Sequence, residues 1–301
     1  MLDPETLYRC DPQSWELLRG KRPVLILLLD GAGSAGGVQR VLGGHLLEAF
    51  TATRVVRFDV DQLLQWADRR PMVEIGTCGP VRDTGPDLSL WALTDAAGET
   101  FLVLHGPEPM LQWNRTIAAL AGIVAELGVR LVVNVTAIPM RVPHTRPAQV
   151  FTHSAEADLN VRPWEALGTV TVPASFGTYL ESVLAEHRQR CLGVDVCVPY
   201  YLDDGEHIDS AVAALEVLQS TCGLNLAPDD LVGRAEANRA EVDAQVAQTA
   251  NGTQVLQILE TRYDSLRTMV GDRLPSADEL GDAFEKFLAD QDRRRRETGE
   301  G

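Results

Sequence analysis

A proline-rich stretch carries two side chains whose types could do chemistry. Residues 138–147 contain three prolines, and they follow an apolar run at residues 131–135 that predicts a buried strand. Each proline lacks a backbone N–H and has a fixed φ, so we expect a stiff loop that belongs neither to a helix nor to the sheet. This loop would hold the imidazole of His144 and the guanidinium of Arg146 at the carboxyl end of a strand, where open α/β sheets bind ligands and partners.

A glycine-rich turn is the second candidate site, because it lies between the first predicted strand and helix. Gly31, Gly33 and Gly36 have the spacing of a dinucleotide-binding fingerprint, and Asp59 after the next strand could bind a ribose. Asp30 would place a carboxylate beside the pyrophosphate, where the two negative charges repel. Two interpretations stay open, a nucleotide site and a tight turn that brings helix and sheet close together, and we favour the turn.

Ser34 lies where an α/β hydrolase would have its nucleophile, and it could form a pair with His144. The residue at position 32 is alanine, whereas the nucleophile elbow needs glycine there, so a turn or helix-capping serine is the favoured interpretation. For His105 and His144 we likewise favour histidines that are hydrogen-bonded within loops. No two histidines have i, i+4 spacing and the cysteines are scattered, so we predict no metal site and no cofactor, and we assign no catalytic residue.

Composition excludes several classes of protein. The formal net charge of −16 makes a nucleic acid an unfavourable partner, since the phosphate backbone would be repelled. Five cysteines form no C-x-x-C pair and no signal peptide is apparent, which favours a reduced, cytoplasmic protein. The longest apolar run, residues 24–29, is far too short to cross a membrane.

The hydrophobic pattern predicts a mixed α/β core over residues 1–227. One βαβ unit spans residues 24–58, and a hairpin near residues 88–104 makes the sheet mixed. Further helices are predicted at residues 110–127, 176–188 and 208–221, and further strands at residues 129–136, 168–172 and 192–198.

The pattern changes after Pro228, where no strand signal remains. Two amphipathic helices are predicted there, followed by a third that begins with a capping box at Ser276. We therefore expect residues 228–301 to form a C-terminal α-helical appendage, a candidate lid on the core.

Taken together, these segments resemble the proteasome assembly chaperone 2 family in its actinobacterial branch. The matching motifs span about residues 24–226 and include residues 29–35, 58–64, 69–72, 106–109, 139–147, 172–173 and 198–202. The resemblance implies a mixed sheet sandwiched by helices, akin to the nucleoside phosphorylase and peptidyl-tRNA hydrolase folds. It also implies a hairpin used in oligomerisation, a homotrimer as the oligomer, and a helical C-terminal region beside a cleft.

Two hypotheses for function follow from the motifs and the resemblance. The leading one is a non-enzymatic, oligomeric protein that binds a protein partner, with proteasome subunits as the implied partner, and neither nucleic acid nor membrane. The alternative is a small-molecule sensor, or a hydrolase- or phosphorylase-like enzyme, whose ligand is unknown and whose cleft lies at the carboxyl ends of the strands. That cleft would be lined by seven residues: Asp30, Gly31, Ser34, His105, Asn134, His144 and Arg146.

Overall fold

A computed structural model describes residues 2–67, 70, 73–76, 79–82, 85–163 and 171–270. The strands are β1 (Tyr8–Cys10), β2 (Val24–Asp30), β3 (Ala52–Phe58), β4 (Val73–Gly76), β5 (Gly79–Arg82), β6 (Ser89–Thr94), β7 (Thr100–Pro107), β8 (Leu131–Met140), β9 (Val150–His153) and β10 (Cys191–Pro199). The helices are α1 (Pro12–Leu18), α2 (Val38–Ala49), α3 (Val60–Leu63), α4 (Trp113–Glu126), α5 (Phe176–Glu186), α6 (Ile208–Cys222), α7 (Asp229–Gln248) and α8 (Gly252–Val270).

Eight of the strands form one mixed sheet in the order β1-β3-β6-β7-β2-β8-β10-β9. The four central strands β7, β2, β8 and β10 are parallel to one another, and the outer strands run antiparallel to their neighbours. The strands β4 and β5 form a separate two-stranded sheet. The predicted mixed α/β fold is thus confirmed.

Alternating side chains give the sheet two apolar faces, because successive residues of a strand point to opposite sides. One face packs against α2, α6 and α7, and the other packs against α1, α4 and α5. Leu231, Ala235 and Val242 of α7 are buried in the first of these cores. The change of pattern at residue 228 is therefore a change of secondary structure, and the first C-terminal helix shares the core of the sheet.

The prediction that the sheet ends before residue 138 is wrong. The strand β8 continues through Pro139 to Met140, which pair in register with Val198 and Pro199 of β10. On its other side, β8 pairs with β2 only as far as Asn134. The last residues of β8 thus have one paired side, and a proline without an N–H is tolerated in such an edge position.

Two further predictions concern elements that lie partly or wholly outside the described residues. The strand predicted at residues 168–172 lies partly outside them, and residues 171–172, which are described, are not in a strand. The third C-terminal helix, predicted from Ser276, lies entirely outside them.

Candidate functional site

The glycine-rich turn after β2 is closed by its own serine. Ser34 Oγ accepts a hydrogen bond from the Gly31 N–H at 3.1 Å and donates one to the Gly31 carbonyl at 2.6 Å. Gly33 has a left-handed φ of 78°, which favours glycine, and its carbonyl accepts the Ala137 N–H at 2.7 Å. The hydroxyl of Ser34 is therefore engaged in holding the turn against β8.

A buried glutamate occupies the polar groups that a phosphate would need at this turn. The carboxylate of Glu108, 8% exposed, accepts hydrogen bonds from the backbone N–H of Ala32 and from that of Phe176 at the start of α5. A Cβ atom at Gly31 would lie 2.0 Å from Glu108 Oε2, so only glycine fits there. The chain's own carboxylate thus binds the turn and a helix N-terminus, which supports the tight-turn interpretation over a nucleotide site.

Sequence reasoning placed Glu108 in a family motif but gave it no role. A signal was available, since a glutamate between Pro107 and Pro109 is held on a rigid segment just after a central strand. Its partners could not be inferred, because Ala32 and Phe176 are distant in sequence and contribute only backbone groups.

His144 lies in the proline-rich loop, as expected, and is 2% exposed. Its Nδ1 lies 2.7 Å from Tyr201 Oη, its backbone N–H donates to the same oxygen at 3.0 Å, and its Nε2 lies 2.9 Å from Asp243 Oδ1 on α7. Burial raises the pKa of Tyr201 to about 12, so its hydroxyl keeps its proton. We assign that proton to the bond with Nδ1, which leaves Nε2–H to donate to Asp243.

The next residues of the loop bind α8. Arg146 donates from Nε and Nη2 to the two carboxylate oxygens of Asp264, at 2.9 and 2.7 Å, and from Nη1 to Glu260 at 3.1 Å. The Thr145 hydroxyl donates to the same Glu260 at 2.5 Å, and Tyr263 Oη donates to the Pro147 carbonyl at 3.1 Å. The bond to Asp264 raises the pKa of the Arg146 guanidinium further above its ordinary value.

We call this set of contacts between residues 144–147 and the helices α7 and α8 the C-terminal clasp. It explains why the loop is rich in proline, since a stiff loop holds its donors at fixed positions for the helices to meet. The imidazole and guanidinium that suggested chemistry are engaged with carboxylates of the same chain. The loop therefore acts in this structure as a platform for the C-terminal helices.

The remaining predicted residues do not all lie together. His105 lies within β7, not in a loop, so that expectation is wrong; β7 continues to Pro107 because it stays paired with β2. The His105 ring contacts Gly43 of α2, its Nδ1 lies 3.3 Å from the Leu28 carbonyl, and burial lowers its pKa. Asn134 faces the other side of the sheet, against Gly177 of α5.

Asp30 ends β2, and its carbonyl accepts the Glu108 N–H at 3.0 Å. The strand ends thus bring together Asp30, Gly31 and Ser34 with Glu108. His144 and Arg146 form the clasp beyond β8, and His105 and Asn134 belong to opposite faces of the sheet.

A polar cluster that sequence reasoning missed lies beside Asn134. His153 of β9 is held between two buried carboxylates, with Nδ1 2.8 Å from Asp195 Oδ2 and Nε2 3.2 Å from Glu181 Oε1. The bond to Asp195, followed by that to Glu181, raises the pKa of His153 to about 10, so the ring carries a positive charge near neutral pH. Because His153, Asp195 and Glu181 lie on two different strands and a helix, no regular spacing in the sequence predicts this cluster.

The described residues contain no group of three or more His, Cys, Asp or Glu side chains arranged to hold a metal ion. Burial raises the pKa values of the Cys191, Cys197 and Cys222 thiols to about 12, so none of these three is a thiolate near neutral pH. In the same part of the chain, no helix is long and apolar enough to span a bilayer.

The fold and site define an α/β sandwich whose proline-rich loop holds the helices α7 and α8. Among solved structures, a Mycobacterium tuberculosis protein of unknown function, Rv2714, is 34% identical with a TM-score of 0.82, covering 88% of this chain and 91% of that one. A Corynebacterium glutamicum protein of unknown function is 28% identical with a TM-score of 0.78, covering 86% and 97%. A Mycobacterium tuberculosis proteasome-assembly chaperone homologue, Rv2125, is 18% identical with a TM-score of 0.69, covering 77% and 99%, and shows the shared fold.

The family model of the PAC2 family matches residues 28–246. The chain therefore belongs to the PAC2 family, as the motifs of its sequence predicted. A search of functionally curated proteins gives no significant match.

Proposed function

We propose that this protein is a non-enzymatic, oligomeric binding protein of the assembly-chaperone type. It acts in the cytoplasm on a protein partner, and proteasome α-subunits are the first candidates. Membership of the PAC2 family supports this proposal, as does the shared fold with a protein described as a proteasome-assembly chaperone homologue.

The observation that carries the proposal is how the reactive side chains are used. Ser34 is bonded to its own turn, His144 to Tyr201 and Asp243, and Arg146 to α8. Each would have to give up an internal partner before it could bind or activate a substrate. This arrangement favours a rigid binding scaffold over an active site.

The oligomer that we propose is a homotrimer, and the structure suggests which hairpin would build it. Both strands of the predicted hairpin, β6 and β7, are paired on both sides within the main sheet. Its turn is also docked, since the Ala96 N–H donates to the Asn225 carbonyl at 3.2 Å. The β4–β5 hairpin, by contrast, pairs only with itself among the described residues, and we propose its outer edges as the contact with another subunit.

Two measurements test this function. Light scattering on the purified protein should give three times the 32.9 kDa chain mass, and a monomeric mass after residues 73–82 are replaced by a short glycine linker. The wild type should also co-purify with recombinant proteasome α-subunits. A monomeric wild type, or a failure to retain α-subunits at micromolar concentration, would contradict the proposal.

One observation favours the alternative of a small-molecule sensor or enzyme. Gln39 Oε1 and His207 Nε2 are buried without a hydrogen-bond partner among the described residues. Burial lowers the pKa of His207 to about 4, so its ring is neutral, and its backbone N–H donates to the Gly36 carbonyl at 3.0 Å beside the glycine-rich turn. Buried polar atoms without partners are candidates for contacts with a bound ligand.

A melting-temperature screen separates the two functions. Nucleosides, which carry no phosphate, should leave the melting temperature of a non-enzymatic chaperone unchanged. A large stabilisation by one nucleoside, lost in both His144→Ala and His207→Ala, would favour the sensor or enzyme.

A further inference from the structure

A basic cavity lies at the opposite end of the sheet from the C-terminal clasp. Its volume is about 330 Å³, within the range of small-ligand sites. It is lined by Lys21, Arg22, Glu99, Thr100, Arg130, Arg190 and Leu224. No residue of this cavity takes part in the contacts described above.

The topology of the sheet explains why these cations meet. Only Pro23 separates Lys21 and Arg22 from β2, while Arg130 directly precedes β8 and Arg190 directly precedes β10. These three strands are adjacent and parallel, so their amino ends lie side by side at about 4.8 Å per strand. The register keeps them level, since Val24 is opposite Leu131, and Val132 is opposite Cys191.

The charge of the cavity opposes that of the whole chain. Four cations and one carboxylate, Glu99, line it, whereas the chain carries a net charge of −16. The cations include Lys21, one of two lysines in the sequence. Charges beyond about 8 Å are screened at physiological ionic strength, so a bound anion would respond chiefly to this lining.

These cations have few acidic partners. Arg190 pairs with the exposed Asp158, and Arg130 donates from Nη2 to the Cys222 carbonyl at 2.8 Å. Within the described part of the chain, no carboxylate lies within ion-pair distance of Lys21, Arg22 or Arg130. Clustered cations without counter-charges repel one another, which an anion between them would relieve.

The backbone fixes one of these cations in an unfavourable conformation. Arg22 has a φ of 50°, in the left-handed region that non-glycine residues rarely adopt. The next residue, Pro23, accepts the Arg130 N–H at its carbonyl at 3.0 Å, which ties the two cationic segments together. Strained residues of this kind are enriched at ligand-binding sites.

We propose that this cavity binds a compact anion with two or more negative charges, of the diphosphate class. The arginines supply planar, multiple donors for phosphate oxygens, and Lys21 supplies a mobile point charge. The site is independent of the proposed partner-binding function. It is also remote from the glycine-rich turn, whose N–H group is already bound by Glu108.

Calorimetric titration with pyrophosphate tests the proposal directly. Wild-type protein should bind pyrophosphate more tightly than inorganic phosphate or citrate, and ADP in a second titration shows whether the diphosphate is free or part of a nucleotide. Lys21→Gln and Arg22→Gln should each weaken the binding about tenfold, because each removes a charge-assisted contact. Arg188→Gln is the matched control, since Arg188 is an exposed cation at the same end of the sheet that does not line the cavity.

Circular dichroism melts of each variant show that the fold is kept. The proposal is overturned if millimolar pyrophosphate gives no binding heat with the wild type. It is equally overturned if citrate binds more tightly than pyrophosphate, or if Arg188→Gln weakens binding as much as Lys21→Gln does.

Discussion

The two ends of the central sheet use positive charge in opposite ways. At the carboxyl end, Arg146 is bound by Asp264 and Glu260 of α8. At the amino end, Lys21 and Arg22 line an open cavity with one carboxylate among its walls. The same residue types thus hold the fold together at one end and are available to a ligand at the other.

The difference comes from where the chain places its acids. The helices α7 and α8 carry Asp243, Glu260 and Asp264 to the carboxyl end, where they meet the proline-rich loop. At the amino end, no acid of a described helix lies within ion-pair distance of Lys21, Arg22 or Arg130. A cation is therefore informative about function only once its counter-charge is known.

The largest effect is expected at Glu108, which binds the turn and α5 at the carboxyl end. Glu108→Ala leaves the N–H groups of Ala32 and Phe176 without their acceptor, the second of them buried, and should lower the free energy of unfolding by about 3 kcal/mol. Urea denaturation measures this change. The exposed Glu48→Ala on α2 is the control and should stay within about 0.5 kcal/mol of wild type; equal losses in both variants would refute the role of Glu108.

Removing the buried imidazole of the clasp should have the next largest effect. His144→Ala leaves a cavity and frees Tyr201 and Asp243, so we expect a loss of about 2 kcal/mol in unfolding free energy. Asp243→Ala should cost less, because Asp243 is 55% exposed and water can replace it. The control is Glu236→Ala, which removes an exposed acid of the same helix and should leave the free energy of unfolding unchanged. A comparable loss in this variant would show that the contacts of His144 contribute no more than an exposed acid does.

His153, which pairs with Asp195 and Glu181, should make the free energy of unfolding depend on pH. Its folded pKa of about 10 lies above its ordinary value of 6.5, so its stabilisation is complete below pH 6.5 and is lost as the pH rises through 10. With a side chain 41% exposed, the loss should be about 1 kcal/mol after allowance for solvent screening. Unfolding free energies of wild type and His153→Gln should converge between pH 6.5 and pH 10, and parallel curves would exclude the effect.

The smallest global effect and the clearest local one are expected at Arg146. Arg146→Gln removes the ion pairs to α8, so amide hydrogen exchange in residues 252–270 should quicken while the sheet stays protected. Arg40→Gln, which breaks the exposed pair with Glu206, is the control and should leave α8 unchanged. Unchanged exchange in α8 of the Arg146 variant would mean that apolar contacts alone hold the helix.

Local pattern was sufficient to predict most of the fold. The apolar run at residues 24–29 has no alternation, which is typical of a strand covered on both faces, and β2 is indeed buried on both. The end of β8 could not be predicted, because the tolerance for Pro139 depends on β2 no longer pairing with β8 beyond Asn134, and this is a property of the neighbouring strand.

The site was harder to predict, because its partners come from distant parts of the chain. The proline-rich loop stood out in the sequence, but Asp243 and Asp264, which bind His144 and Arg146, lie about a hundred residues further along. His105 and Asn134 were placed in one cleft because both lie near the carboxyl ends of predicted strands. Only the register of the sheet shows that they point to opposite faces.

The most direct test compares one cation from each end. Arg146→Gln and Lys21→Gln each remove a single positive charge from a chain of net charge −16, so any effect of net charge is the same in both. Melting temperatures in low-salt buffer without added phosphate should fall for Arg146→Gln and stay level or rise for Lys21→Gln. We claim that the cations at the carboxyl end of the sheet are paired with acids of the same chain, whereas those at the amino end form an anion-binding site. Equal shifts of the melting temperature in the same direction would contradict this claim.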